Sequence, residues 1–229
     1  MLLLLAACVP HVPPTPPGSA APAAIIAPDA RPMVARMRAA TGDPYGIDGL
    51  HFVFAVGDVR REYDWDVHHD RIAVRYTRED GVNCAVMTNV GYAGPVEEQR
   101  EAWEMFVNDQ FWLLAPAKVA DPGATVTRTE AGVMVRYDGV GVTPGDTYSY
   151  DVDDSGVVRA WSYVLSSGKT GAWTWAPPTA VGPLHLSLER HSDKRSIRFE
   201  DVQVLPVSLG EPGVSCPLRT PLPAEEKGG

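Results

Sequence analysis

From Leu50 onward the chain alternates apolar and polar positions with a period of two, the repeat that sends successive side chains to opposite faces of a β-strand. Phe52, Phe54 and Val56 alternate with His51, Val53 and Ala55, and Tyr63, Trp65 and Val67 alternate with Asp64, Asp66 and His68. Ile72, Val74 and Tyr76 alternate with Arg71, Ala73 and Arg75, while Cys84, Val86 and Thr88 oppose Asn83, Ala85 and Met87. With short turns such as Asp80-Gly81 between them, these segments predict four antiparallel strands. Further strand-like runs cover 133–137, 147–152, 157–164, 172–175, 184–188 and 197–204. In the last run the apolar parity changes between Ile197/Phe199 and Val202/Val204, which places a β-bulge near Glu200-Asp201.

Two stretches switch to helical spacing. Residues 32–40 have Asp29 just before them and Gly42 just after, the punctuation of a short helix. A second helix starts at Gly94-Pro95, carries Glu97 and Glu98 in its first turn, where the helix dipole favours them, and stops at Pro116. Trp103, Phe106, Val107 and Gln110 lie on one side of it, and Ala102, Met105 and Trp112 on another. A helix apolar over so wide an arc needs cover on more than one face. The fold class that follows is mainly β with two helices (α+β): a curved antiparallel sheet or incomplete β-barrel of about ten strands, with a helical lid.

A chain of 229 residues that is 45% hydrophobic and 21% charged buries one core, and wholesale disorder is excluded. The formal net charge of -9 argues against a general nucleic-acid binder, which needs a basic surface. Eight of the 21 prolines fall between Pro10 and Pro32, and the end of the chain also lacks a periodic pattern. The predicted organisation is a signal remnant at 1–7, a flexible tether at 8–29, the folded domain at 30–208 and a Pro-rich tail at 209–229.

Leu5, two small residues and Cys8 resemble the lipobox of bacterial lipoproteins. The resemblance implies export, removal of residues 1–7, a lipid on Cys8 and attachment to a membrane by that anchor. Val9 rather than Asp after the cysteine points, by the enterobacterial sorting rule, to the periplasmic face of the outer membrane. The remaining cysteines, Cys84 and Cys216, are an even number in an oxidising compartment. Either they form a disulfide that ties the tail to a central strand, or Cys84 is simply a small buried residue.

The order of lipobox, tether, short helix ending at Thr41-Gly42, strand meander, inserted helix and second meander resembles the LolA/LolB-like lipoprotein-carrier superfamily. The segment from Phe106 to Lys118, with Asp121-Pro122-Gly123 after it, is similar to one in uncharacterised periplasmic proteins placed near that superfamily, as are the stretches at 181–184 and 197–202. That resemblance implies an unclosed barrel wrapped round a helical lid, with an apolar groove for acyl chains. Independently, the 51–56 strand is apolar on both faces, as expected where one side packs into the core and the other meets a cavity or lid. The groove is therefore assigned to Phe52, Phe54, Trp65, Trp103, Phe106, Trp112, Trp161, Trp173 and Trp175, each of which also has the composition of ordinary core.

Candidate chemistry is sparse. Asp64, Asp66 and His68 share one strand face and can be read as a metal cluster, but the face opposite the apolar one is ordinarily solvated. Asp151 to Gly156 matches the start of a calcium loop, yet its flanks read as strands, which favours a hairpin turn. No serine or cysteine occupies a recognisable nucleophile turn. Neither catalytic residues, a metal nor a cofactor is assigned. The expectation is a non-catalytic envelope lipoprotein that binds a lipid or acyl chain, or a lipidated partner, in a groove between sheet and helix. One alternative is a structural or protein-interaction module with a filled core. A weaker one is a metal-dependent hydrolase using Asp64, Asp66 and His68.

Overall fold

The computed structural model describes residues 22–92, 94–138 and 144–217. The expectations for residues 1–7, for Cys8, for most of the tether and for the last part of the tail lie outside the described residues. The chain is mainly β, with 44% of it in strands and two helices. In order the elements are β1 (Ile25–Ile26), α1 (Arg31–Thr41), β2 (Gly49–Val56), β3 (Val59–Asp66), β4 (Arg71–Thr77) and β5 (Asn83–Asn89). Helix α2 (Glu97–Leu114) follows, then β6 (Ala124–Arg128), β7 (Gly132–Tyr137), β8 (Thr147–Val152), β9 (Val158–Val164) and β10 (Thr170–Trp175). The last strands are β11 (Thr179–Val181), β12 (Leu184–Leu186), β13 (Glu189–His191), β14 (Ser196–Val204) and β15 (Gly213–Ser215).

Two antiparallel meanders, β2 to β5 and β6 to β10, become one 13-stranded sheet because β13 and β14 return between them, β13 beside β10 and β14 beside β2. β1 adds to β6 in parallel at one edge, and β15 pairs with β5 at the other. The sheet is curved and open, without barrel closure. β11 and β12 form a separate hairpin. Among the described residues no helix is long and apolar enough to cross a membrane.

The long alternating strands appear where the pattern placed them, and the bulge is a register shift between Glu200 and Gln203 with Asp201 at φ 52°. The sheet has more strands than the ten expected. β6 alternates only small and β-branched side chains with polar ones, and β1, β13 and β15 span two or three residues, too short for any periodic signal. The folded unit accordingly reaches beyond 30–208 at both ends, since Ile25 and Ile26 pair with β6 and residues 213–215 pair with β5. α1 begins behind Ala30, with no side-chain cap from Asp29, and ends at Gly42. Gly42 has φ 92°, and a Cβ there would lie 2.8 Å from the Pro183 carbonyl oxygen, so glycine is required on both counts.

β2 is apolar on both faces for a reason different from the one expected. Its inner side chains, Leu50, Phe52 and Phe54, are in the core. On the outer face Val53 and Ala55 line neither of the two cavities among the described residues. They lie between Glu62, Arg60, Arg198 and Glu200 of the flanking strands, whose stems cover them while the charged ends pair.

Candidate functional site

Helix α2 lies across the inner face of the sheet and organises the interior. Its most buried stripe, Ala102, Phe106, Asp109 and Leu113, follows the i, i+3, i+4 spacing of a core-facing helix. Phe106 meets the rings of Tyr63 and Trp65 at 6.0 and 5.5 Å. Asp109, fully buried, accepts from Arg61 Nε at 2.7 Å, Arg61 Nη2 at 2.8 Å, Tyr63 Oη at 2.6 Å and Asn108 Nδ2 at 2.8 Å. Burial pushes the Asp109 carboxyl up in spite of these four donors. Burial also works against Arg61, but there the adjacent carboxylate outweighs it and holds the guanidinium above its ordinary value. The bidentate arrangement ties the middle of α2 to β3.

A second buried charge holds the end of the same helix. Arg190 of β13 is inaccessible to solvent and donates to the Trp112 carbonyl in the last turn of α2 at 2.9 Å, and to Ser187 O and Oγ, both at 2.7 Å. Carbonyls of the last turn have no partner within the helix, and the negative end of the dipole favours a cation there. The guanidinium lies 3.5 Å above the Trp175 ring. Burial pulls its pKa down to about 9, which leaves it charged at neutral pH.

Along one flank α2 stands apart from the sheet and leaves a cavity of about 370 Å³. Trp103, Phe106, Val107 and Phe111 line it from the helix, Trp65 from β3, and Tyr137 and Tyr148 from β7 and β8. Its size falls at the small end of the about 300–1,000 Å³ typical of small-molecule sites. Tyr45, Asp70, Asn108, Gln110, Lys118 and Asp121 form much of the polar boundary, Gly91 and Pro122 complete the rim, and Asp146 contributes a buried carboxylate.

The wall rings are held by their polar tips. Tyr45 Oη donates to Asp121 Oδ2 at 2.6 Å and accepts from Lys118 Nζ, which also pairs with Asp121 at 2.6 Å. Tyr137 Oη donates to the Lys118 carbonyl at 3.0 Å. Burial, reinforced by Asp121, raises both the Tyr45 and the Tyr137 phenols, so each remains a hydrogen-bond donor at neutral pH. Asp146 accepts from the Ser166 backbone N–H at 2.8 Å, which anchors its carboxylate beside Tyr148.

Of the nine groove residues assigned from sequence, Trp65, Trp103 and Phe106 line this cavity. The other six do not, and the assignment is corrected for them. Phe52 stacks on Tyr63 at 4.8 Å, and Phe54 meets Phe199 at 5.7 Å. Trp112, Trp161, Trp173 and Trp175 form a block in which neighbouring rings contact edge to face at 4.7–5.2 Å and fill the space between α2 and β9–β10. Trp175 also borders a pocket of only about 20 Å³.

Asp64, Asp66 and His68 are not gathered into one site. Asp64 lies 2.7 Å from His51 Nδ1 and accepts from Arg75 at 2.8 Å. Asp66 is buried, against the expectation of a solvated face, because the backbone N–H groups of His69 and Leu209 and the His69 ring converge on it. Burial opposes its ionisation, but these donors hold its carboxyl below the usual carboxylate range. His68 pairs with Asp48 at an exposed position. A different trio, His51, Glu62 and Asp64, brings its ligand atoms within 4.8 Å of one another, but Arg75 donates to both carboxylates and already supplies the countercharge.

Asp151 to Gly156 forms the β8–β9 hairpin turn. Asp153 accepts from Ser155 N, Ser155 Oγ and Val157 N, and its pKa is pulled down to about 2, chiefly by the Ser155 hydroxyl. No protein-family model matches the sequence, and no curated protein matches it.

Proposed function

We propose that this chain is a non-catalytic cell-envelope protein that holds the apolar chain of an amphiphile between α2 and the sheet. The observation that carries this reading is the aromatic cavity of about 370 Å³, walled by Trp65, Trp103, Phe106 and Phe111. Burial of apolar surface there gives a chain-like ligand about 25 cal/mol per Å² removed from water. The lipobox-like Cys8 and the similarity of segment 106–123 to periplasmic proteins support an envelope location and a lipid-anchored form.

The boundary of the cavity bears on the head group. Asp70, Asp121 and Asp146 face a single ammonium, Lys118, and that is paired with Asp121. Beside apolar walls a free carboxylate experiences this negative balance strongly. An acyl chain joined through an ester or amide, as in a glyceride or a lipidated protein, fits better than a free fatty acid.

The test is a titration of the purified full chain with the apolar fluorophore N-phenyl-1-naphthylamine, followed by displacement with monolaurin and with laurate. Saturable probe binding, with monolaurin displacing at least about tenfold more effectively than laurate, is expected; tenfold corresponds to about 1.4 kcal/mol. Absence of saturable probe binding overturns the ligand reading in favour of an interaction module with a filled core. Equal displacement overturns only the head-group preference.

A further inference from the structure

The C-terminal segment after β14 runs as a strap past the ends of three strands before it joins the sheet edge. Leu205 N donates to the Gly49 carbonyl at 3.2 Å, and the strap then lies against β2 so closely that a Cβ on Gly49 would be 2.6 Å from the Val207 side chain. Leu209 N reaches Asp66 Oδ2 at 3.3 Å, and Arg71 donates to the Gly210 carbonyl at 2.8 Å. The strap ends as β15, three residues paired antiparallel with β5 in the register Gly213↔Met87, Val214↔Val86, Ser215↔Ala85.

The next step of that register sets Cys216 opposite Cys84. Residues directly opposite in an antiparallel pair project to the same face, with Cβ atoms about 4.5–5.5 Å apart, close to the about 3.5–4.5 Å that a cystine spans. The burial pattern agrees: Cys84, Val86 and Thr88 are the buried positions of β5, and Val214 and Cys216 the half-buried ones of residues 213–216, while Ala85 and Ser215 are exposed. Both cysteines are thiols in this structure, both belong to or pack against the hydrophobic core, and burial, reinforced by the neighbouring Cys216, pushes the Cys84 thiol up to about 11.

We propose that Cys84 and Cys216 are a cystine site that clasps the C-terminal strap onto the free edge of β5. The bond forms by thiol–disulfide exchange with a protein or small-molecule disulfide. One cysteine, as its thiolate, attacks the oxidant's S–S bond and expels a thiolate. The second cysteine then displaces the remaining oxidant sulfur from the mixed disulfide. Two protons leave the pair of cysteines, and the oxidant is reduced to two thiols. The clasp converts a three-residue pairing, held otherwise by polar contacts to Arg71, Asp66 and Arg78, whose guanidinium donates to the Pro217 carbonyl at 2.9 Å, into a covalent edge, and β15 also packs against α2. The enclosed chain is long, which maximises the constraint on the unfolded state.

The experiment is peptide mapping of the full chain purified from an oxidising compartment and, in parallel, after incubation with oxidised glutathione. Free thiols are blocked with iodoacetamide in denaturant before proteolysis. A linked pair of peptides containing Cys84 and Cys216, resolved into two by dithiothreitol, is expected. Dithiothreitol should also lower the melting temperature by about 5–10 °C, a shift absent from the Cys84→Ser/Cys216→Ser double variant. Both peptides carrying the alkyl group in both samples, or either cysteine linked to another partner, overturns the proposal. A linked pair whose reduction leaves the melting temperature unchanged overturns the clasp as a stabilising device.

Discussion

The two flanks of α2 carry similar residues and end in opposite states. Toward β9 and β10, Trp112 meets Trp161 and Trp173 at centroid distances of 4.7 and 5.1 Å, and the rings fill the space. Toward β3, β7 and β8, Trp103, Phe111, Tyr137 and Tyr148 border a cavity. Part of the difference lies in what some of the rings do with their polar atoms. In the filled block the indole N–H groups of Trp161 and Trp175 find no acceptor among the described residues, so ring packing, with the Arg190 guanidinium 3.5 Å above Trp175, fixes those rings. At the cavity, Tyr45 and Tyr137 are held at their tips by Asp121, Lys118 and the Lys118 carbonyl. A hydrogen-bonded tip fixes where a phenol ring stands, whereas a ring without such a partner is placed by its neighbours. Counting aromatic residues therefore does not separate a core from a cavity, and neither does a bonded tip by itself: Tyr63 in the core has a hydrogen-bonded hydroxyl, and Trp65 at the cavity has an indole N–H with no acceptor among the described residues.

The comparison breaks most visibly at Trp161, whose ring touches Phe111, Trp112, Tyr148, Tyr150, Tyr163 and Trp175. Trp161→Ala is expected to lower stability by about 3–5 kcal/mol in urea melts, the range for deleting a large buried aromatic. On the other flank, Trp103 is only half-buried and lines the cavity. Trp103→Ala should cost about 1 kcal/mol or less in the same melts while weakening the apolar probe by about tenfold, the reverse of the Trp161 pattern. Equal stability losses for the two would show that both flanks are core. The smallest effect is expected for Tyr45→Phe, which keeps the ring and removes only its tip. Stability should fall by about 0.5–1.5 kcal/mol, with probe affinity changing by no more than about threefold, and a larger loss of affinity would mark the Tyr45 hydroxyl as a ligand contact.

The sheet was largely legible because alternation is a local signal. Strands such as β3, where Tyr63 and Trp65 alternate with Asp64 and Asp66, declare both their period and their buried face. The face assignment failed at Asp66, whose burial depends on Leu209, distant in sequence and brought there only by the strap. The cavity was half legible for the same reason. Trp65, Trp103 and Phe106 were chosen as large apolar residues on the correct elements, whereas Tyr45, Tyr137 and Tyr148 were missed because nothing local links position 45 to position 121. One signal was available: the run 106–123, which begins with the cavity-lining Phe106 and Val107, also contains Phe111, Lys118, Asp121 and Pro122, all of which border the cavity.

Two buried charges also went unread. Asp109 falls on the apolar stripe of α2 beside Phe106 and Leu113, and Arg190 is buried in the short β13. A charged residue at a core-parity position is a recognisable anomaly, but its partner comes only from the fold, Arg61 in the first case and the Trp112 carbonyl in the second.

Those two moorings also bear on the ways into the chamber. With α2 fastened at mid-length and at its far end, lifting it would strand a carboxylate in one place and a guanidinium in another, each without compensation. Access is cheaper sideways, past the connections that carry Tyr45, Gly91 and Pro122. The space is consequently shaped in advance, and an occupant would leave little of it to order.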